Sequence, residues 1–223
     1  MDVLPNEEEE MVRDSLRRFF DTECDTDRVR EIEDGEARID HDLWRQLAEL
    51  GWLGLALPAS YGGGEAPFTQ LTLLFEEAGR ALAPVPLHPH MVASLALAQA
   101  IERGGSALAE ELISRACLGE VRLTWAWEER LPIMGPEAIS LSAVPDGNGW
   151  RLNGSKSMVE AFEISNYCLL AVRTDTTGQA SEGISLLLVR PDAEGISSTA
   201  HRTLAGDEQS MVQFVRTIFH KAG

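Results

Sequence analysis

Residues 105–127 read Gly105-Ser-Ala-Leu-Ala-Glu-Glu-Leu-Ile-Ser-Arg-Ala-Cys-Leu-Gly-Glu-Val-Arg-Leu-Thr-Trp-Ala-Trp127, and their grammar changes halfway. Leu108, Leu112, Ile113 and Ala116 recur at three- and four-residue spacing, which puts one apolar face on a helix over 105–118. Beyond Gly119, the run from Val121 to Trp127 alternates with period two and is rich in β-branched and aromatic residues, the signature of a strand.

Upstream, everything reads as helix. Met11, Val12, Leu16, Phe19 and Phe20 form a stripe on a helix beginning near Asn6. Asp40 is a candidate N-cap for a second helix carrying Leu43, Trp44, Leu47 and Leu50, which Gly51 ends. A short apolar passage from Leu53 to Pro58 is closed by Tyr61-Gly62-Gly63-Gly64. Phe68, Leu71, Leu74, Phe75, Ala78 and Leu82 then make the clearest helical stripe in the chain. Pro84, Pro86 and Pro89 interrupt it, because proline removes a backbone donor, and a further helix is expected over about 90–102.

Downstream, Ala138 to Val144 alternates, Pro145 to Gly149 supplies a turn, and Trp150 to Asn153 is the returning strand. Tyr167 to Val172, Ile184 to Val189 and Met211 to Phe219 read as further strands. Helices first and strands after, without alternation, predict an α+β chain. We expect an N-terminal all-helical domain over 1–118 and an antiparallel β-barrel or sandwich over 119–223, with Trp44, Leu74 and Phe75 buried.

Charge narrows the partners. The formal charge is −17, from 36 acidic residues against 19 basic ones, and only Lys156 and Lys221 are lysines. Nucleic-acid binding needs the opposite sign, as do anionic membranes, so neither partner is expected. Residues 1–50 alone hold 17 acids and 7 bases, a solvated acidic face. Cys24, Cys117 and Cys168 are far apart with no CxxC pair, so neither a disulfide framework nor a thiolate metal site is suggested. The acidic start MDVLPNEEEE is unlike a signal peptide, and no apolar run is long enough to span a bilayer; a cytoplasmic chain is expected.

Generic catalytic motifs are missing: there is no GxGxxG, GxxxxGK[ST], GxSxG or HExxH. His88-Pro89-His90 offers two imidazoles without a third ligand nearby, so no metal site is expected. Tyr61 to Gly64 is either an amide cradle for phosphate or a turn requiring positive φ. Trp125 and Trp127 sit on one strand; we expect one ring in the core and the other available to a planar ligand.

Function enters through resemblance. Leu57-Pro-Ala-Ser-Tyr-Gly-Gly-Gly64, followed by Leu74-Phe-Glu-Glu-Ala-Gly-Arg-Ala-Leu-Ala-Pro84, resembles the amino-terminal domain of acyl-CoA dehydrogenases. Cys117-Leu-Gly-Glu120, Glu128-Glu129 and Gly149-Trp-Arg-Leu-Asn-Gly-Ser-Lys156 resemble the opening and the Gly-x-x-Leu-x-Gly-x-Lys hairpin of that family's β-domain. Gly183 to Val189 and Ala193 to Ile196 match its later strands. The resemblance runs in order over about residues 6–219.

It implies an oxidoreductase that binds FAD and removes hydrogens from the CH–CH group of an acyl-CoA, with a glutamate base taking the α-proton. It also implies a homo- or hetero-oligomer. By the same resemblance Trp125, Trp127, Glu128, Met158, Val159 and Glu160 fall at cofactor-contact positions. The family's threonines there are replaced by Glu128 and Glu160, which have no proton to donate at neutral pH, and its Gly-Ser-Asp is missing from 130–137. These substitutions weaken the case for FAD, unless both carboxylates point to solvent. The family's C-terminal helical domain, which carries the base, has no counterpart in these 223 residues, so the chain alone is expected to be inactive. A flavin-free interaction subunit and a non-redox enzyme such as a cyclase stand as alternatives.

Overall fold

The computed structural model describes residues 5–35, 38–129, 135–147, 149–179, 181–204 and 207–220. Six α-helices come first: α1 (Glu7–Glu23), α2 (Thr26–Asp34), α3 (His41–Glu49), α4 (Phe68–Arg80), α5 (Leu87–Glu102) and α6 (Ala107–Cys117). Seven strands follow: β1 (Leu123–Ala126), β2 (Ser142–Asp146), β3 (Gly149–Glu160), β4 (Tyr167–Arg173), β5 (Ile184–Val189), β6 (Ile196–Arg202) and β7 (Glu208–His220).

Local chemistry explains the helix starts. At α1 the Asn6 side chain accepts the Glu9 N–H while the Glu9 carboxylate accepts the Asn6 N–H, a complete capping box. The run Glu7 to Glu10 lies in that first turn, where the helix dipole favours negative charge, so part of the acidic start has a structural use. Asp40 caps α3 through the Asp42 and Leu43 amides and is gripped in turn by Arg28 at 2.7 Å. Pro89 falls in the first turn of α5, where its missing N–H costs nothing, so that helix begins at Leu87.

The helical core gathers Leu16, Phe20, Leu43, Trp44, Leu47, Leu71, Leu74 and Met91. Met11, placed on the α1 stripe by its spacing, is 73% exposed, and Phe75 is only half-buried. A charged clasp adds to the α1–α4 contact: the Glu77 carboxylate, fully buried on α4, accepts from Arg17 of α1 and from Arg80, each at 2.6 Å. Burial would raise the Glu77 pKa, but the two guanidinium hydrogen bonds outweigh it and hold the carboxyl below its ordinary value.

The β half departs from the expected antiparallel barrel or sandwich. It is a curled, open, mixed sheet in the order β1-β4-β2-β3-β7-β6, with β5 paired to the other side of β4. β1 runs parallel to β4, Leu123 opposite Tyr167, and Asn166 ties the two strand starts together. The Asn166 N–H donates to the Arg122 carbonyl and its side-chain oxygen accepts the Arg122 N–H, both at 2.8 Å. The remaining long pairings are antiparallel, and among the described residues the sheet stays open between β5 and β6. The Pro145–Gly149 turn joins β2 to β3, although Asn148 lies outside the described residues.

Gly119 marks the change of grammar and is held there by packing. Its φ is +70°, and a Cβ would sit 2.8 Å from Ala48 Cβ and 3.0 Å from Leu53 Cδ1. Its carbonyl accepts the Trp44 indole N–H at 2.9 Å. The seam does not stop at this glycine. Leu97, Ile101, Leu112 and Ile113 of α5 and α6 form one cluster with Leu123 of β1 and Leu169 of β4. A separate core of Ala126, Leu141, Leu152, Phe162, Cys168, Leu170 and Val212 packs on the face of β4 opposite Leu169. No described helix is long and apolar enough to cross a membrane.

Candidate functional site

β1 ends at Ala126, and the chain continues through Trp127, Glu128 and Glu129 beside the last third of β3. Three bonds tie that run to β3. The Ser157 N–H donates to the Glu128 carbonyl at 2.9 Å. The Lys156 ammonium donates to the Trp127 carbonyl at 2.9 Å and to Glu129 Oε1 at 2.8 Å. Lys156 is completely buried and the Glu129 side chain nearly so.

Burial alone would push the Glu129 carboxyl up; hydrogen bonds from Lys156, Ser140 and the Leu141 amide hold it below its ordinary value. Burial pulls the Lys156 pKa down against the raising effect of Glu129. An unpaired charge here would be costly, so the pair acts as a lock between the exit of β1 and β3. The hairpin motif ending in Lys156 and the pair Glu128-Glu129 were both visible in the sequence, but not that they meet.

The six positions picked out by resemblance separate in space. Trp125 is half-buried and packs on the helix–sheet seam with Tyr61 and Leu95. Trp127 is also half-buried. One core ring and one free ring were expected. Residues two apart on a strand share a face, and Ala126 between them is the one that faces the sheet core. Glu128 is exposed. Met158 is 55% exposed and has φ +55°, at the place where the β3–β7 register shifts between Lys156 and Val159. Val159 is 1% exposed, inside the sheet core, and offers no side-chain surface to a ligand.

Glu160 is engaged. Its carbonyl accepts the Thr124 hydroxyl at 2.6 Å, and its Oε2 lies 3.1 Å from His88 Nδ1 in the first turn of α5. The His88 ring meets Phe75 of α4 edge-on, with centroids 5.8 Å apart. The Glu160 hydrogen bond holds the His88 imidazole above its ordinary pKa despite partial burial. His88 was seen in the sequence only as half of a His-Pro-His turn; its partner lies 72 residues away, beyond any spacing signal.

His90 does something else. It is fully buried, its Nδ1 accepts the Leu123 N–H at 3.2 Å, and burial lowers its pKa to about 4. The two imidazoles therefore serve different partners, and no group of three metal-ligating side chains occurs among the described residues. The Tyr61–Gly64 segment is a tight turn: Gly62 has φ +88°, and a Cβ on Gly63 would sit 2.1 Å from the Leu57 carbonyl oxygen. Of the stretch 130–137, where the Gly-Ser-Asp was sought, residues 130–134 lie outside the described residues.

A helical layer seated on a curled mixed sheet, with the candidate residues at the exit of β1 and the end of β3, is a known architecture. The chain belongs to the acyl-CoA dehydrogenase family: residues 6–120 match its N-terminal domain and residues 135–217 its middle domain. Among curated relatives it is 30% identical over 219 residues to acyl-CoA dehydrogenase FadE26 of Mycobacterium tuberculosis, covering 93% of this chain and 53% of that one. Among solved structures it superimposes on the Tcur3481-Tcur3483 steroid ACAD G363A variant with TM-score 0.82 and 35% identity, over 96% of this chain and 56% of that chain. It likewise matches the ChsE4-ChsE5 complex of Mycobacterium tuberculosis with TM-score 0.81 and 25% identity, over 100% of this chain and 57% of that one. The chain thus spans about half the length of the relatives it matches.

Proposed function

We propose that this chain forms part of an acyl-CoA dehydrogenase-type flavoprotein that acts on the CH–CH group of an acyl thioester. It contributes the helical layer and the sheet that frame the cofactor and acyl group. The observation that carries this reading is the ordered match of both domains on one continuous fold, with the exit of β1 locked against β3 where the resemblance puts flavin contacts. It supports a flavoprotein reading over a flavin-free module or a cyclase.

Members of the family are FAD-dependent. The side chains present here do not make a flavin site by themselves. Where the resemblance puts two hydroxyl donors stand Glu128 and Glu160, which only accept, and Glu160 is already taken up by His88. A carboxylate facing an electron-rich reduced ring also adds repulsion. What this chain can offer a planar cofactor is the half-buried face of Trp125 and Trp127 and the exposed Met158. The flavin's polar contacts and the base that removes the α-proton come, in this reading, from polypeptide beyond these two domains. That polypeptide is either continuous with this chain or a partner subunit, and the assembly is a homo- or hetero-oligomer.

Exposed Phe68, Leu82 and Met158 lie on the elements such a partner would cover. The test is to purify the assembly that contains this chain, record its visible spectrum and assay acyl-CoA oxidation with an electron acceptor. The expected outcome is bound flavin and turnover in the assembly, and neither in the isolated chain.

A further inference from the structure

At the other end of β1 from Trp127, a cleft of about 400 Å³ opens between the start of α3 and the loop joining β3 to β4. Arg38, His41, Arg122, Glu163, Ser165 and Asn166 are among its lining residues. We propose that this cleft binds a phosphate group, as the free ion or as a small monoester, on the guanidinium of Arg122.

Arg122 is half-buried, and among the described residues its only side-chain hydrogen bond runs from Nε to the Ile164 carbonyl at 2.7 Å. Among the described residues no carboxylate pairs with it, so the two terminal nitrogens of its fork are left as donors. The environment registers the same fact: burial lowers the Arg122 pKa and no neighbouring acid offsets it. The other cation at the rim is neutralised, since Arg38 is held by Glu163 at 3.2 Å and by Glu208. Glu163 is occupied by Arg38 and by the Ser198 hydroxyl, so it is not waiting to close on Arg122.

The helix start is not the attraction, because Asp40 already satisfies the first amides of α3. Beside Arg122 two further lining groups can donate. Asn166 uses its side-chain oxygen on the Arg122 N–H, which leaves its amide nitrogen, and His41 is exposed at the first position of α3. A guanidinium fork, an amide and an imidazole supply more donors than one carboxylate can accept, whereas phosphate presents three acceptor oxygens. The volume sits at the low end of small-ligand pockets, which suits a phosphate or small monoester rather than a whole nucleotide cofactor.

The test is a ¹H–¹⁵N titration of the 223-residue chain with inorganic phosphate and, separately, with glycerol phosphate, ionic strength being held constant with chloride. Saturable shifts confined to His41, Arg122 and Asn166 are expected, weakened about tenfold or more in Arg122→Gln. They should be unchanged in Arg190→Gln, whose guanidinium pairs with Asp192 elsewhere. Tighter binding of one probe names the source, free ion or ester, and either upholds the site. Should Arg122→Gln fail to fold by its own spectrum, Arg122→Lys keeps the charge, loses the fork and should still bind several-fold more weakly. Shifts that never saturate, that chloride reproduces, or that survive intact in these variants overturn the proposal.

Discussion

Replacing Lys156 by methionine isolates the lock between β1 and β3. Methionine matches the length of the lysine stem and removes only the ammonium. Two charge-assisted contacts disappear, to Glu129 at 2.8 Å and to the Trp127 carbonyl at 2.9 Å. Glu129 is left as a buried carboxylate whose remaining partners are Ser140 and the Leu141 amide. Breaking a buried ion pair from one side costs about 3–5 kcal/mol, and the surviving donors to Glu129 place the expectation near the lower end. The assay is urea denaturation followed by far-UV circular dichroism and tryptophan fluorescence together, so that any loss of two-state behaviour shows as diverging curves.

The pH dependence carries the sign. Glu129 is depressed in the native protein, so its contribution is present above its unfolded pKa and lost as pH falls through the folded one. In Lys156→Met the same carboxyl is expected to rise, so the deficit of the variant should shrink on acidification. Lys156→Met/Glu129→Gln, which keeps an acceptor for Ser140 and Leu141 but no charge, should recover about half the loss or more. A single-variant cost below about 1 kcal/mol, or a double variant no better than the single, would refute the lock.

Three further outcomes follow from individual residues. His90 is buried neutral with a pKa lowered to about 4, so the unfolded chain binds its proton first and stability should fall as pH drops from about 6.5 toward 4, by about 1.4 kcal/mol per pH unit; a pH-independent His90→Asn difference across that window would contradict this. Gly119→Ala should cost about 1–3 kcal/mol, read as a lowered Tm, because alanine must adopt φ +70° and displace Ala48 or Leu53. His88→Gln should cost no more than about 1 kcal/mol, since both partners are partly solvated. Because Glu160 raises the His88 pKa, that difference should be largest below the unfolded value near 6.5 and vanish as pH rises through the folded value, measured by denaturation at pH 5.5 and 8.5.

The parts of the fold legible in the sequence are those that one chemical pattern determines locally. The helix start near Asn6, the cap at Asp40, the stripe on α4 and the change of period at Gly119 all appear where expected. α2 escaped because none of its residues is buried, so it leaves no stripe, and only its Asp25 cap betrays it. β6 escaped because Ile-Ser-Ser-Thr-Ala-His-Arg is a polar edge strand with one apolar end. The barrel expectation was met only in part, since the sheet curls but stays open and mixed, with β1 parallel to β4 and tied to it by Asn166 and Arg122, a long-range event. At the candidate site, resemblance singled out Trp125, Trp127 and Glu160 as positions to inspect, but not the side chains that hold them. Lys156 with Glu129, and His88 with Glu160, pair across 27 and 72 residues, separations for which periodicity carries no information.

The proposed function requires these two domains to work only as part of a larger flavin-bearing assembly. Its most direct test compares acyl-CoA oxidation, with added FAD and an electron acceptor, by the isolated 223-residue chain and by the native assembly purified through a tag on this chain. Flavin absorbance and turnover are expected in the assembly, and no turnover above background in the chain alone. Steady oxidation of an acyl-CoA by the isolated chain, or a colourless and inactive native assembly, would contradict it.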